Sequence, residues 1–336
     1  MRGLAGTACI TILMSPRIPA FSRRAVQVCG WSVLVLAGLG ILAAPLGLYC
    51  SFIERLTHLW LYWIVALCLC GLGWAWTRQC KKMLTALLLA GWASVAVIRY
   101  YQPLPVGASV GEAALTVASW NVHASNKERD RAIAWLRTVE ADVLLLTEVN
   151  PGWAKALKTG AARWPHQICE TRNGAAGIWL LSRWPLSAVE PAGIAAEESR
   201  PWIACTVESP RGRVRVMGMH PRTPRGGHRF TERNVQLDLG ASFAASASGP
   251  VVVLGDLNCT PFSPWFGRML QRGNLKDAAM GRGLTPTWSS GIWWLPIDHI
   301  LAGGGLQVLD WQVIADRLGS DHFPVRATLA LPERSG

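Results

Sequence analysis

The stretch VVVLGDLNCTPFSPWF, Val251 to Phe266, decides the fold. Val251 to Leu254 is a β-branched apolar run, the pattern of a strand covered on both faces, and NCTPFSP behind it carries the Pro and Ser of a loop. Asp256 and Asn258 therefore sit where the strand ends. Strand positions i and i+2 point the same way, so both side chains reach one cleft if the extended conformation persists that far. A D-x-N pair alone more often opens a turn or caps a helix, so its meaning depends on the rest of the chain.

Further along, the same signature recurs. ALTVASWN, DVLLLTEVN, GIWLLSRWP and RVRVMGMH read as strands, and DRAIAWLRTVEA and FTERNVQLDLGASFAA as amphipathic helices between them. Polar residues collect at the strand ends: Asn121, Glu148, His220, Asp256 with Asn258, Asp298 beside His299, and Asp321 with His322. One such residue is an ordinary loop or cap; the ordered recurrence argues for a shared site. There is no glycine-rich phosphate loop and no G-x-S-x-G elbow. Cys169, Cys205 and Cys259 show no metal-like spacing, so neither a zinc site nor a disulfide framework is expected.

The amino-terminal third differs in kind. The 336 residues are 51% hydrophobic, and the excess lies in three uncharged runs, Ala25 to Phe52, Leu56 to Trp76 and Met83 to Ile98. Each approaches the roughly 20 residues of a spanning helix. The expected organisation is an N-terminal segment 1–24, a membrane region 25–101 with three transmembrane helices, a linker 102–114 and a catalytic domain 115–332. GLAGTACITILM, before Arg23, is too short to span, and Met14 is an alternative start.

Residues 1–101 hold nine Lys and Arg against the single acid Glu54, which supplies +8 of the net +12. Most of the basic balance thus belongs to membrane flanks, which weakens a nucleic-acid reading. Arg23 and Arg24 precede the first run, and Arg78, Lys81 and Lys82 fill the second connection. The positive-inside rule then puts both in the cytoplasm and the catalytic domain outside, on a multi-pass protein of the cell membrane.

Taken in order, SWNVHASN, LLLTEVN, GIWLLSRWPL, MGMHPRTP, VLGDLNCTP, IDHIL and SDHFPV resemble the endonuclease/exonuclease/phosphatase superfamily, and the whole arrangement is similar to its membrane-anchored bacterial members. The resemblance implies an α/β fold, a four-layer sandwich of two mixed β-sheets flanked by helices, here preceded by an N-terminal transmembrane helical region. It also implies a hydrolase of phosphoester bonds that uses a divalent metal, Mg2+ or Mn2+. Such a cation wants hard oxygen ligands and keeps several waters.

By resemblance Glu148 is the principal metal ligand, with Asn121 and Asp321 beside it. Asp256 matches the acid that activates or aligns the attacking water, and Asn258 its phosphate- or metal-binding partner. His322 matches the histidine that binds the scissile phosphate, Asp298 the carboxylate that holds its ring, and His220 a second histidine for phosphate contact or proton transfer. His299 is expected to pack in its strand, and His123 receives no role.

The substrate stays open: a phosphate ester, with lipid-linked phosphates or phosphodiesters leading, and the lipid bilayer as partner. An extracytoplasmic nuclease is second, and a non-catalytic membrane binding protein third. Trp288, Trp293 and Trp294, just before Asp298, are either packing or an apolar lip that touches the bilayer.

Overall fold

The computed structural model describes residues 20–103, 113–190 and 200–331. The expected N-terminal segment and linker fall largely outside them. Four helices come first: α1 (Ala20–Ile41), α2 (Ser51–Thr57), α3 (Trp60–Trp76) and α4 (Cys80–Ile98). Two helical segments, Arg23–Ile41 and Cys80–Ile98, are long and apolar enough to cross a membrane; α2 with α3 adds a third only if that pair, bent by 71°, is one span.

The first run does not reach Phe52 as one helix. Pro45 cannot donate to the preceding turn, and the chain leaves α1 for a 3-10 turn at Ala44–Leu48 and then α2. α3 alone has 17 residues, the lower limit of the length a span needs.

Close approaches fix how these helices run. A Cβ on Gly30 would lie 2.5 Å from the Trp74 ring and one on Gly40 2.9 Å from the Trp63 ring, so early α1 meets late α3 and late α1 meets early α3. Trp60 Nε1 donates to the Ala93 carbonyl at 3.0 Å while Gly71 packs on Leu87, so α4 is antiparallel to α3 as well. Lys82 bonds Gln27, which gathers Arg23, Arg24, Arg78, Lys81 and Lys82 at one end of the bundle. The rest of the described chain docks at the other end, where Trp60 stacks on Phe262 and Tyr100 donates to Asp277 at 3.2 Å.

That part contains, in chain order, β1 (Ala113–Asn121), α5 (Arg129–Thr138), β2 (Val143–Thr147), α6 (Pro151–Leu157), β3 (His166–Glu170), β4 (Ile178–Ser182), β5 (Leu186–Glu190), β6 (Trp202–Ser209) and β7 (Gly212–Met219). There follow α7 (Gly227–Ala245), β8 (Val251–Asp256), α8 (Pro264–Gly273), β9 (Lys276–Asp277), β10 (Trp288–Ser290), β11 (Trp293–Leu295), β12 (Asp298–Gly303), β13 (Gln307–Val313) and β14 (Val325–Ala330). One sheet has the order β13-β14-β1-β2-β4-β3, the other β5-β6-β7-β8-β12-β9, and β10-β11 is a separate hairpin. Each large sheet is mixed: β1 and β2 are parallel, as are β7 and β8, and the remaining pairs are antiparallel.

The burial pattern explains the apolar runs. Val143 and Leu145 of β2 face Val252 and Leu254 of β8 in the core between the sheets. Leu144 and Leu146 face Leu136 and Trp153 on the outer side, and Val253 and Leu301 meet Leu237 and Phe266 on the other. Covered on both faces, these strands have no polar stripe. The result is the expected sandwich of two mixed sheets between helical layers.

Candidate active site

The two parallel strand pairs put their carboxyl ends at one edge of the sandwich. Asn121 closes β1, Glu148 follows β2, His220 follows β7 and Asp256 closes β8. Asp298 opens β12 as the direct cross-strand partner of Asp256, although 42 positions separate them in sequence. Gly255 lets the backbones of β8 and β7 approach closely at this edge: its φ is +140°, and a Cβ there would lie 1.9 Å from the Met219 carbonyl oxygen. His123, Glu148 and Asn258 have φ values of +58°, +63° and +47°, a left-handed conformation that costs side-chain-bearing residues and is often concentrated at functional sites.

Asn121 ties the two sheets together. Its Nδ2 donates to Glu148 Oε1 at 3.1 Å and to Asp256 Oδ2 at 3.0 Å, while its Oδ1 accepts from the His123 backbone at 2.9 Å. The amide thus turns its donors, not its oxygen, toward the two carboxylates. Asp256 Oδ1 accepts from the Asn258 backbone at 2.9 Å, and the Asn258 side chain is itself held by Pro221 and Thr223. Glu148 Oε2 accepts from the Ala124 backbone at 2.9 Å.

Two histidines flank Asp256. His220 Nε2 lies 3.3 Å from Asp256 Oδ2, and its Nδ1 lies 3.0 Å from Arg200 Nη1. A guanidinium can only donate, so Nδ1 accepts and Nε2 carries the proton aimed at Asp256. His322 Nδ1 sits 2.8 Å from Asp298 Oδ2 and its Nε2 3.6 Å from Asp256 Oδ2. Thr287 Oγ1 also donates to Asp298 Oδ2, at 2.7 Å.

The charges follow from these contacts. Burial works against the His322 imidazolium, but Asp298 and Asp256 outweigh it and push its pKa up to about 10. Burial would raise Asp256 as well; His322, His220 and the Asn258 N–H instead hold it well below the usual carboxylate range. Asp298 is raised, by burial first and then by Asp256 nearby. The site therefore carries an ionised Asp256 and a cationic His322 at neutral pH.

Asp256, Asp298 and His322 place ligating atoms within 4.8 Å of one another. The 2.8 Å line between His322 and Asp298 is a hydrogen-bond distance, so this trio reads as an ion pair beside a carboxylate. A hard cation fits better at Glu148. Its carboxylate opens into the cleft, receives only N–H groups from Asn121 and Ala124, and has among the described residues one ion-pair contact, His220 at 3.9 Å. Asp321 lines the same cleft, one-third exposed, bonded by Trp288 Nε1 at 2.8 Å and by His123 at 3.2 Å. Oxygen donors of this kind suit Mg2+ or Mn2+.

The cleft encloses about 570 Å³ and is lined by Glu148, His220, Asp256, Asn258, Asp321 and His322, all expected from the sequence. Asn121 and Asp298 are buried behind this wall. His299 packs as expected, its Nε2 on the Cys259 carbonyl at 2.8 Å. Trp288 lines the cleft, whereas Trp293 and Trp294 stand exposed on the β10-β11 hairpin. The sequence reading missed Arg200, Arg225, Arg55 and His58, which also line the cleft. For the α2 pair one signal existed: Glu54, the single acid of the membrane region, demands a partner.

The family described as Endonuclease/Exonuclease/phosphatase family matches residues 118–322. No curated protein matches the chain. Among solved structures, an endonuclease/exonuclease/phosphatase from Beutenbergia cavernae DSM 12333 is similar at 23% identity, with a TM-score of 0.51, over 66% of this chain and 72% of that one. The 3′ phosphatase NExo from Neisseria, bound to a product DNA hairpin, gives 22% and 0.53 over 64% and 98%. Sphingomyelinase C from Streptomyces griseocarneus gives 19% and 0.50 over 64% and 99%. At these identities the likeness carries the fold alone. With the matched segment spanning every site residue expected from the sequence, the chain belongs to the Endonuclease/Exonuclease/phosphatase family and is a metal-dependent hydrolase of phosphoester bonds.

Proposed function

We propose that the protein is a membrane-anchored phosphoesterase whose catalytic domain lies outside the cytoplasmic membrane and cleaves lipid-linked phosphate esters or phosphodiesters. The observation that carries the lipid reading is the seating of the β10-β11 hairpin on α3. Tyr62 Oη donates to the Ile292 carbonyl at 3.1 Å and accepts from Trp294 N at 2.6 Å, and its ring meets Trp293 edge-on at 5.2 Å. Ile292 is 76% exposed, Trp293 41% and Trp294 45%, so three large apolar side chains stand beside the membrane-type helices and just before the cleft residues Leu295 and Ile297. Trp at such a boundary favours the bilayer interface. The basic ends of the bundle, opposite the catalytic domain, support the outside orientation.

In this reading Glu148 and Asp321 would hold the divalent cation, and Asn121, which fixes the Glu148 carboxylate, would offer its amide oxygen beside them. The cation supplies Lewis-acid neutralisation of the phosphoryl oxygens. Asp256, kept ionised, accepts an O–H of the attacking water, orients it and is placed to take its proton as the new P–O bond forms. His322 donates from Nε2 to a phosphoryl oxygen as its negative charge grows, and Asp298 keeps the ring charged and oriented. His220, with Nδ1 committed to Arg200, donates from Nε2. Asn258, braced by Thr223 and Pro221, offers an amide to the phosphate.

The test is hydrolysis by the full-length protein in vesicles of a lipid-borne phosphate against a small soluble phosphodiester and DNA. A clear preference for the lipid-borne substrate is expected. Preference for DNA, with affinity falling steeply as salt rises, would support the nuclease reading instead.

A further inference from the structure

The wall of the cleft crosses from the catalytic domain into the helical region. Arg55 and His58 of α2 line the same cavity as Glu148 and Asp256. α2 is not loosely tethered there. Glu54 Oε1 accepts from Arg233 Nη2 of α7 at 2.7 Å and from Ser263 Oγ at 2.7 Å, and lies 3.0 Å from His58 Nε2. The His58 Nδ1 is in turn 3.0 Å from Thr260 Oγ1. Glu54 and Arg233 are completely buried, so the helix is fixed to the domain by an ion pair shut off from water.

Glu54 and His58, one helical turn apart, take the face toward the domain; Arg55 lies about 100° round the helix. Arg55 is exposed, its one hydrogen bond is a long 3.4 Å contact to the Ser51 carbonyl, and among the described residues no carboxylate pairs with it. Arg225 lines the same cavity, and among the described residues no ion pair holds it either. A guanidinium on a rigidly held helix, open to a cleft and with no acidic partner among the described residues, is placed to meet an anion there. The residues around Asp256 already account for one phosphate, which leaves Arg55 facing whatever else the substrate carries.

Resting on the reading of the cleft as a phosphoester site, we propose that α2 contributes an anion subsite to it, in which Arg55, together with Arg225, binds a second phosphate-like group of the substrate. The helical region is then part of the substrate site and not only an anchor. Arg is suited to this because its planar fork meets two phosphate oxygens at once.

Two non-hydrolysable probes test it by calorimetric binding to the full chain in detergent with magnesium present: methylphosphonate and methylenediphosphonate. The wild type should bind the diphosphonate at least about tenfold tighter, the scale of one charge-assisted contact. Arg55→Gln should remove most of that ratio while leaving methylphosphonate affinity and the unfolding midpoint unchanged; Arg55→Lys should retain part of it, and Arg225→Gln should reduce it. Equal binding of the two probes to the wild type, or an unchanged ratio in Arg55→Gln, overturns the subsite alone. No binding of methylphosphonate overturns the phosphoester reading together with it.

Discussion

Asp298 holds His322 at 2.8 Å through Nδ1, and this contact orients the opposite ring nitrogen toward Asp256, 3.6 Å away. The pair is buried, with the histidine in the loop before β14 and the carboxylate at the start of β12. Its strength sets the charge on His322 and hence the donor available to a phosphoryl oxygen.

The folded pKa of His322, about 10, lies above the ordinary 6.5. A group raised in this way stabilises the fold fully below pH 6.5 and loses that contribution as pH climbs through 10. In chelator, the unfolding midpoint should therefore fall across that alkaline range. Asp298→Asn should flatten the fall and lower kcat by roughly 10². An alkaline limb identical in wild type and variant would remove the ion pair as its cause.

Chelation should abolish hydrolysis, and Mg2+ or Mn2+ should restore it. Glu148→Gln and Asp256→Asn should each cut kcat by about 10² or more, because each removes a positioned charge. Glu148→Gln should in addition raise the magnesium concentration needed for half-maximal activity. Full activity of either folded variant takes that residue out of the mechanism.

Arg233 and Glu54 offer a stability test. Removing one partner of a buried ion pair leaves the other charged and unpaired, at a cost of about 3–5 kcal/mol. Arg233→Met should lower the unfolding midpoint in detergent strongly, and the double variant with Glu54→Gln should recover part of the loss. Additive losses would mean that the two groups do not act as a pair.

Trp293 and Trp294 should matter only at a lipid surface. Replacing both with Ser should reduce hydrolysis of a lipid-borne phosphate in vesicles by tenfold or more, since each inserted aromatic contributes on the order of 1.5–3 kcal/mol. A soluble phosphodiester should be almost unaffected. Equal losses on both substrates, with a lower midpoint, would identify the pair as packing.

Topology can be read with an impermeant thiol reagent in a cysteine-free background. Ser248→Cys, on the exposed turn after α7, should label in intact cells, and Gln79→Cys, between α3 and α4, should not. The reverse pattern would put the cleft in the cytoplasm.

Much of this architecture is local and therefore legible in sequence. Runs such as Val251–Leu254 and Leu144–Leu146 are apolar at successive positions because both strand faces are covered, and their polar terminators mark the edge where parallel strands end together. The order of those terminators specified Glu148, His220, Asp256, Asn258, Asp321 and His322 as cleft residues, and the structure lines the cleft with all of them. Periodicity and charge also located the membrane-type helices, but not the break that Pro45 forces after Ile41.

Tertiary structure alone decided what depends on contacts between distant segments. Asn121 is expected from the sequence as an oxygen ligand; that its Nδ2 also reaches Glu148 and Asp256 depends on folding, which brings this atom within 3.0 Å of Asp256 Oδ2 on the other sheet. Arg55 and His58 belong by composition to a membrane connection. Their place in the cleft depends on Glu54 reaching Arg233, 179 positions away, and no local pattern encodes a pairing between two charges that find each other only when both leave water.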